Sequence, residues 1–223
     1  MFFKTSLRRS SHKFLLQVSL PLLVAICGCS KANDAATTLG GQTDKDVKTL
    51  ELKSTWKTPC EKASTLLEVF GIPSQSIVFD FGSSHSSTTK LFREDNCQTP
   101  VISIVENGNF SVGDKVTDNV YNLNEHYNSV AVTPVNDDGM NALNTIQACG
   151  FTDWKTGQAK DVTAQSSTTP VISRCWIKTP RDVFDIVMIT GEQIKLGLVK
   201  DGKDKTTPEK RPTEIDQSAV LTK

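Results

Sequence analysis

The feature that most constrains the fold is a succession of short runs with apolar residues at every second position, each ended by turn residues. Ser76 to Phe81 carries Ile77, Phe79 and Phe81 on one side. Alternation of this kind marks a half-buried β-strand, because successive side chains of a strand point to opposite faces. Leu50 to Lys57 alternates around Trp56. Val101 to Val105 and Phe110 to Val112 flank Asn107-Gly108, and an Asn-Gly pair between two such runs predicts a tight hairpin. Ser129 to Val132 gives a further strand, stopped by Pro134. Asp185 to Ile189 and Ile194 to Val199 pair around Gly191-Glu192, through a loop of two or three residues.

One helix is expected. Asn136-Asp137-Asp138 supplies a cap and an acidic first turn, Met140, Leu143 and Ile146 supply an apolar stripe, and Gly150 a stop. Lys200 to Thr207 is charged and loop-like, and Pro208 and Pro212 disfavour a central strand there. Many short strands with one short α-helix predict a mainly β fold: an antiparallel β-barrel, with a β-sandwich as the alternative.

The start of the chain is different in kind. Lys4, Arg8, Arg9 and Lys13 precede an apolar stretch from about Phe14 to Ile26, and no acidic residue occurs before Asp34. The stretch is too short to span a bilayer comfortably and reads as an address. Ile26-Cys27-Gly28-Cys29 looks like the lipobox of a bacterial lipoprotein signal, with Cys27 standing where Ala or Ser is usual. The resemblance implies cleavage between Gly28 and Cys29 and lipid attachment to Cys29. Bacterial lipoproteins carry three acyl chains, and two or more hold a body firmly at a membrane. Ser30, rather than Asp, implies by the Gram-negative rule an outer-membrane destination in the cell envelope. Residues 1–28 are thus read as signal, 29–48 as a flexible tether of low apolar content, and 49–223 as a single domain.

Charge excludes one class of partner. The chain has 25 basic and 25 acidic residues, and four of the basic ones fall in the signal. The remainder is net acidic and shows no basic patch, which argues against nucleic acid.

Four cysteines follow Cys29: Cys60, Cys97, Cys149 and Cys175. An even number in an exported chain predicts disulfides, with three connectivities open. Chain order favours Cys60–Cys97 and Cys149–Cys175, each closing a local loop worth roughly 3–4 kcal/mol at most. Their spacing matches no paired zinc pattern.

Two short elements resemble the lipocalins. Ser54-Thr55-Trp56 is similar to their Gly-x-Trp motif, with Ser in place of Gly. Thr152-Asp153-Trp154 is similar to their Thr-Asp-Tyr element, with Trp in place of Tyr. The body also resembles small, cysteine-bridged, lipocalin-like bacterial lipoproteins. The shared elements are a Trp before the first Cys, Asp95 to Pro100, Cys149 to Trp154, and Arg211-Pro212-Thr213. This covers most of residues 50–223 and implies a lipocalin-like barrel.

No catalytic, metal or cofactor motif emerges. His85 and His126, the only histidines after the signal, lie in polar stretches and read as surface residues. Gly82-Ser83-Ser84-His85 lacks a nucleophile-elbow pattern. Asp137-Asp138-Gly139 lacks the spaced oxygen ligands of a calcium loop and reads as a helix cap. Trp56, Trp154 and Trp176 read first as core or barrel-plug residues. Trp56, Phe79, Phe81, Phe110 and Met188 are the candidates to line an apolar ligand site, with core packing as the competing role. The expected function is non-catalytic: a membrane-anchored binding protein for a small apolar ligand, or a scaffold. The alternatives are a surface adhesin or interaction module and, last, an envelope enzyme.

Overall fold

The computed structural model describes residues 43–63, 71–167, 175, 178–200 and 202–223. The signal with Gly28 and Cys29, the first part of the expected tether, and Trp176 lie outside them. The strands are β1 (Thr55–Lys57), β2 (Glu61–Lys62), β3 (Ser74–Phe81), β4 (His85–Phe92), β5 (Pro100–Thr117), β6 (Val120–Pro134), β7 (Lys160–Asp161), β8 (Arg181–Thr190), β9 (Gln193–Gly197) and β10 (Ile215–Thr222). Among the described residues, three short α-helices accompany them: α1 (Asp44–Leu52), α2 (Asp137–Thr145) and α3 (Thr163–Ser167).

β1 pairs antiparallel with both β10 and β3. The strands β1, β10, β9, β8, β6, β5, β4 and β3 therefore close into an eight-stranded antiparallel barrel. Closure removes most of the sheet's open edge, and the seam itself is short, with β1 meeting β10 in register only at Lys57 and Thr222. The short strands β2 and β7 attach to β3 and β6. Disulfides join Cys60 to Cys97 and Cys149 to Cys175.

Several local expectations need correction. Residues 44–52 form helix α1, not the end of a tether and the start of a strand. The reason is a capping box: Thr43 accepts from the Asp46 backbone N–H, and the Asp46 carboxylate accepts from the Thr43 N–H at 3.0 Å. The strand begins only at Thr55. Asn107-Gly108 is not a turn either, since β5 runs straight through it for 18 residues. The register slips there instead: Asn107 faces Ser129 while Gly108 faces Tyr127, leaving Asn128 as an extra residue on β6. This is a β-bulge, and Gly108 is required by close approach. A Cβ at Gly108 would stand 1.8 Å from the carbonyl oxygen of His126. The true hairpin follows at Asp118-Asn119, with Asn119 at φ 59°. Gly191-Glu192 makes a two-residue loop between Thr190 and Gln193, with Gly191 at φ 60°.

Helix α2 starts at the expected cap, where the Asn136 side chain accepts from the Gly139 N–H at 3.0 Å. It ends at Thr145, and a separate 3₁₀ turn at Ala148–Gly150 carries Cys149. The C-terminal residues, read as loop up to Pro212, then enter β10 and complete the barrel.

Among the described residues, two apolar clusters form the core. The first gathers Leu91, Ile102, Ile104, Val130 and Val132 with Leu143 of α2 and Trp154. The second gathers Trp56, Phe81, Tyr121, Leu123, Val187, Ile189, Ile194 and Leu221 with Leu52 of α1. Helix α1 is tied to the second cluster. The Trp56 indole N–H donates to the Leu52 carbonyl at 2.8 Å, and the Tyr121 hydroxyl donates to Asp44 at 2.9 Å.

The segment between β9 and β10 straps across β6 and β8. The Arg211 guanidinium donates to the carbonyl of Leu123 at 2.9 Å, to Asn124 Oδ1 at 2.6 Å and to the Asp185 carbonyl. Phe184 N–H donates to the Lys205 carbonyl at 2.9 Å. Lys205 in turn pairs with Asp185 at 2.7 Å.

Candidate functional site

The inward faces of β5 and β6 are apolar at both ends and polar between. On β5 the order is Ile102, Ile104, Glu106, Gly108, Phe110, Val112. On β6 it is Val132, Val130, Tyr127, Glu125, Leu123, Tyr121. Glu106, Glu125 and Tyr127, with His85 of β4, form a buried layer between the two clusters.

His85 is the centre of this layer and is fully buried. Its Nε2 lies 2.7 Å from the Tyr127 hydroxyl and 2.8 Å from Glu125 Oε1. The Tyr127 hydroxyl also donates to Glu125 Oε1 at 3.0 Å. The Nδ1 faces the Asp80 carbonyl at 3.3 Å. Burial, followed by the Glu125 charge, pushes the Tyr127 hydroxyl far above its ordinary value, so it stays a donor.

A second group completes the layer. Arg181 makes a two-pronged ion pair with Glu106, Nη2 to Oε2 at 2.8 Å and Nη1 to Oε1. Thr179 adds a hydrogen bond to Glu106 at 3.2 Å. The guanidinium carbon sits 4.4 Å from the centre of the Tyr127 ring. Burial pulls the Arg181 guanidinium down, and Glu106 more than offsets it, leaving it raised. Asp185 of β8 is likewise buried. Burial raises its carboxyl, while Lys205 and the N–H groups of Ile186 (2.8 Å) and Gly197 (3.0 Å) hold its charge.

Chemically, His85, Tyr127 and Glu125 form one hydrogen-bonded set in which the polar groups satisfy one another. The three side chains are 0%, 3% and 6% exposed and direct their polar atoms at one another. The arrangement joins strands β4, β5, β6 and β8 across the barrel. Among the described residues, no group of three His, Cys, Asp or Glu side chains is arranged to hold a metal ion.

The aromatic candidates divide. Trp56 and Phe81 are wholly buried, and Phe79 and Phe110 pack against the same cluster. Phe81 stacks on the His85 ring at 4.5 Å, and Phe110 meets Phe81 edge-on at 5.0 Å. Met188 is not among them. It sits between Val187 and Ile189, both in the core, so the alternation of β8 turns it to the outer face. Trp154 lies in the first cluster against Phe151, and its indole N–H has no hydrogen-bond partner among the described residues.

His85 also corrects an expectation: it is a core residue, whereas His126 is half-exposed and pairs with Asp182 at 2.7 Å. The sequence carried a signal for Glu106, which shares parity with Ile102 and Ile104. It concealed Glu125 and Tyr127, because the bulge at Asn128 puts them out of phase with Val130 and Val132.

A scan against protein-family models finds none that matches the chain, and a search of curated proteins finds no match.

Proposed function

We propose that this chain is a lipid-anchored lipoprotein of the bacterial cell envelope, directed to the outer membrane of a Gram-negative cell. Its body serves there as a non-catalytic, lipocalin-like scaffold or binding barrel. The lipobox at Ile26 to Cys29 supports the anchor. The observation that carries the scaffold role is the mutual packing of the interior side chains. Trp56 and Phe81 fill the second cluster, and His85, Glu125 and Tyr127 satisfy one another. Two disulfides and a closed sheet suit a rigid body held at a membrane. A second reading, an apolar ligand inside the barrel, draws on Phe79 and Phe110, which are only partly buried.

The test is the mass of the mature N-terminus after expression of the full chain in a Gram-negative host. A triacylated Cys29 and recovery with outer membranes are expected, and Cys29→Ala should abolish both. Cleavage elsewhere, or a mature form without acyl mass, would overturn the anchor. Saturable uptake of an apolar fluorescent dye, weakened by Phe110→Ala, would replace the scaffold role with ligand carriage.

A further inference from the structure

A cleft of about 430 Å³ lies on the outer surface of the barrel. Its volume is within the range of small-molecule sites. The floor is Ser76 and Val78 of β3 with Lys90 and Phe92 of β4. One wall is the chain from Lys57 to Cys60, and the other is Asn96 to Gln98. The Cys60–Cys97 disulfide joins the two walls. Register fixes the floor: Lys57 lies opposite Val78, and Ser76 opposite Lys90.

Three features give this cleft a chemical preference. Lys57 and Lys90 are exposed cations, and neither has a carboxylate within ion-pair distance among the described residues. Ser76 is only 5% exposed. Its hydroxyl has no hydrogen-bond partner among the described residues and is not a buried orphan, so it opens onto the cleft as a free donor. Val78, Phe92 and Pro59 add apolar surface beside these polar groups.

We infer that this cleft binds a compact carboxylate carrying a small apolar body. The carboxylate sits between the two ammonium groups and accepts from the Ser76 hydroxyl, and the body rests on Val78 and Phe92. Lysines act as point charges rather than planar forks, so the charge is read without a bidentate frame and the apolar floor supplies the selection. The site depends neither on the N-terminal anchor nor on the barrel interior, so it stands or falls separately from the proposed function.

The experiment titrates the full ¹⁵N-labelled chain with phenylacetate, phenylacetamide and inorganic phosphate, following amide shifts and heat. Phenylacetate should saturate with a Kd of roughly 1 mM or tighter, moving the amides of Lys57, Ser76, Val78 and Asn96. Phenylacetamide, the neutral analogue, and phosphate, which has no apolar body, should each bind at least about tenfold more weakly. The double variant Lys57→Gln/Lys90→Gln, on the surface and outside the core, should lose about tenfold in phenylacetate affinity. A peptide ending in Phe with a free carboxylate, beside its amidated form, separates the two sources of this chemistry. Tighter binding of the free peptide than of phenylacetate identifies a chain terminus, and the reverse identifies a free acid. The inference is overturned if phenylacetate shows no saturation, if phenylacetamide or phosphate matches it, or if the double variant binds it unchanged.

Discussion

Lys205→Met tests whether the strap between β9 and β10 is held by a buried charge. Asp185 is 1% exposed, and Lys205 is its cationic partner at 2.7 Å. Removing one member of a buried pair costs about 3–5 kcal/mol, because the other charge is left without its partner. Asp185 would keep two backbone donors, Ile186 and Gly197, which places the loss near the lower end, about 3 kcal/mol. For a domain of this size that is roughly 6–12 °C in Tm. The sign with pH follows from Asp185. Burial already raises its folded-state value above the ordinary 3.8, and Lys205 opposes that rise. Without Lys205 the value climbs further. A carboxyl raised on folding contributes stability that is full below its unfolded value and lost as pH rises through its folded value. The deficit of Lys205→Met against the unaltered chain should therefore be small near pH 4 and grow toward neutrality. Urea unfolding followed by tryptophan fluorescence, at a series of pH values with disulfides intact, reads this difference directly. Asp185→Asn/Lys205→Met, which keeps an oxygen acceptor for both N–H groups, should show a pH-independent difference. A Lys205→Met deficit below about 1 kcal/mol at pH 7, or one that does not shrink on acidification, would refute the reasoning.

Three further outcomes are expected in urea unfolding. His85→Leu should cost about 3 kcal/mol by leaving the Glu125 carboxylate with Tyr127 alone. Adding Glu125→Gln should restore at least about 1 kcal/mol, and additivity of the two would deny their coupling. Gly108→Ala should cost about 3 kcal/mol or more, since the new Cβ meets the backbone of His126 and Tyr127; a loss under about 1 kcal/mol would contradict the close approach. Replacing both cysteines of Cys60–Cys97 by Ser should cost up to about 4 kcal/mol and those of Cys149–Cys175 about 3.5 kcal/mol, from loop separations of 37 and 26 residues. A large difference between the two would show that loop closure does not govern them.

Much of the barrel was legible because alternation is local. Phe79 and Phe81, Ile102 and Ile104, and the Gly191-Glu192 hairpin all follow from spacing alone. Three things were hidden, the first by a weak local pattern and the other two by causes at a distance. Thr43 and Asp46 cap a helix whose only fully buried residue is Leu52, so propensity signalled little. Asn107-Gly108 carries turn chemistry but serves a bulge, because the partner strand has an extra residue opposite it. His85 lies just after Gly82-Ser83-Ser84 and reads as loop. Its burial depends on Tyr127 and Glu125, some forty residues away in sequence.

The bulge on β6 makes the polar layer possible, and deletions can separate phase from composition. Tyr127 and Val130 both face inward, although three positions apart, because Asn128 is an exposed extra residue. Deleting Asn128 leaves Tyr127, Ser129 and Val130 in regular alternation and keeps every partner on β5: Asn107 with Ser129, Gly108 with Tyr127. Its cost should be on the order of 1 kcal/mol, typical of an ordinary substitution. Deleting Ala131, a half-buried residue of the regular part of the same strand, has the opposite consequence. A slip of one residue turns every following side chain over. Val132, now 1% exposed, would face outward, and the Thr133 hydroxyl would face the first cluster. Exposing the valine costs about 1.5–3 kcal/mol, and burying an unpaired hydroxyl costs about 1–3 kcal/mol. The Ala131 deletion should thus lose roughly 2.5–6 kcal/mol, against about 1 kcal/mol for Asn128. Equal losses for the two, measured by urea unfolding, would mean that the bulge is needed for its bend rather than for its count of residues.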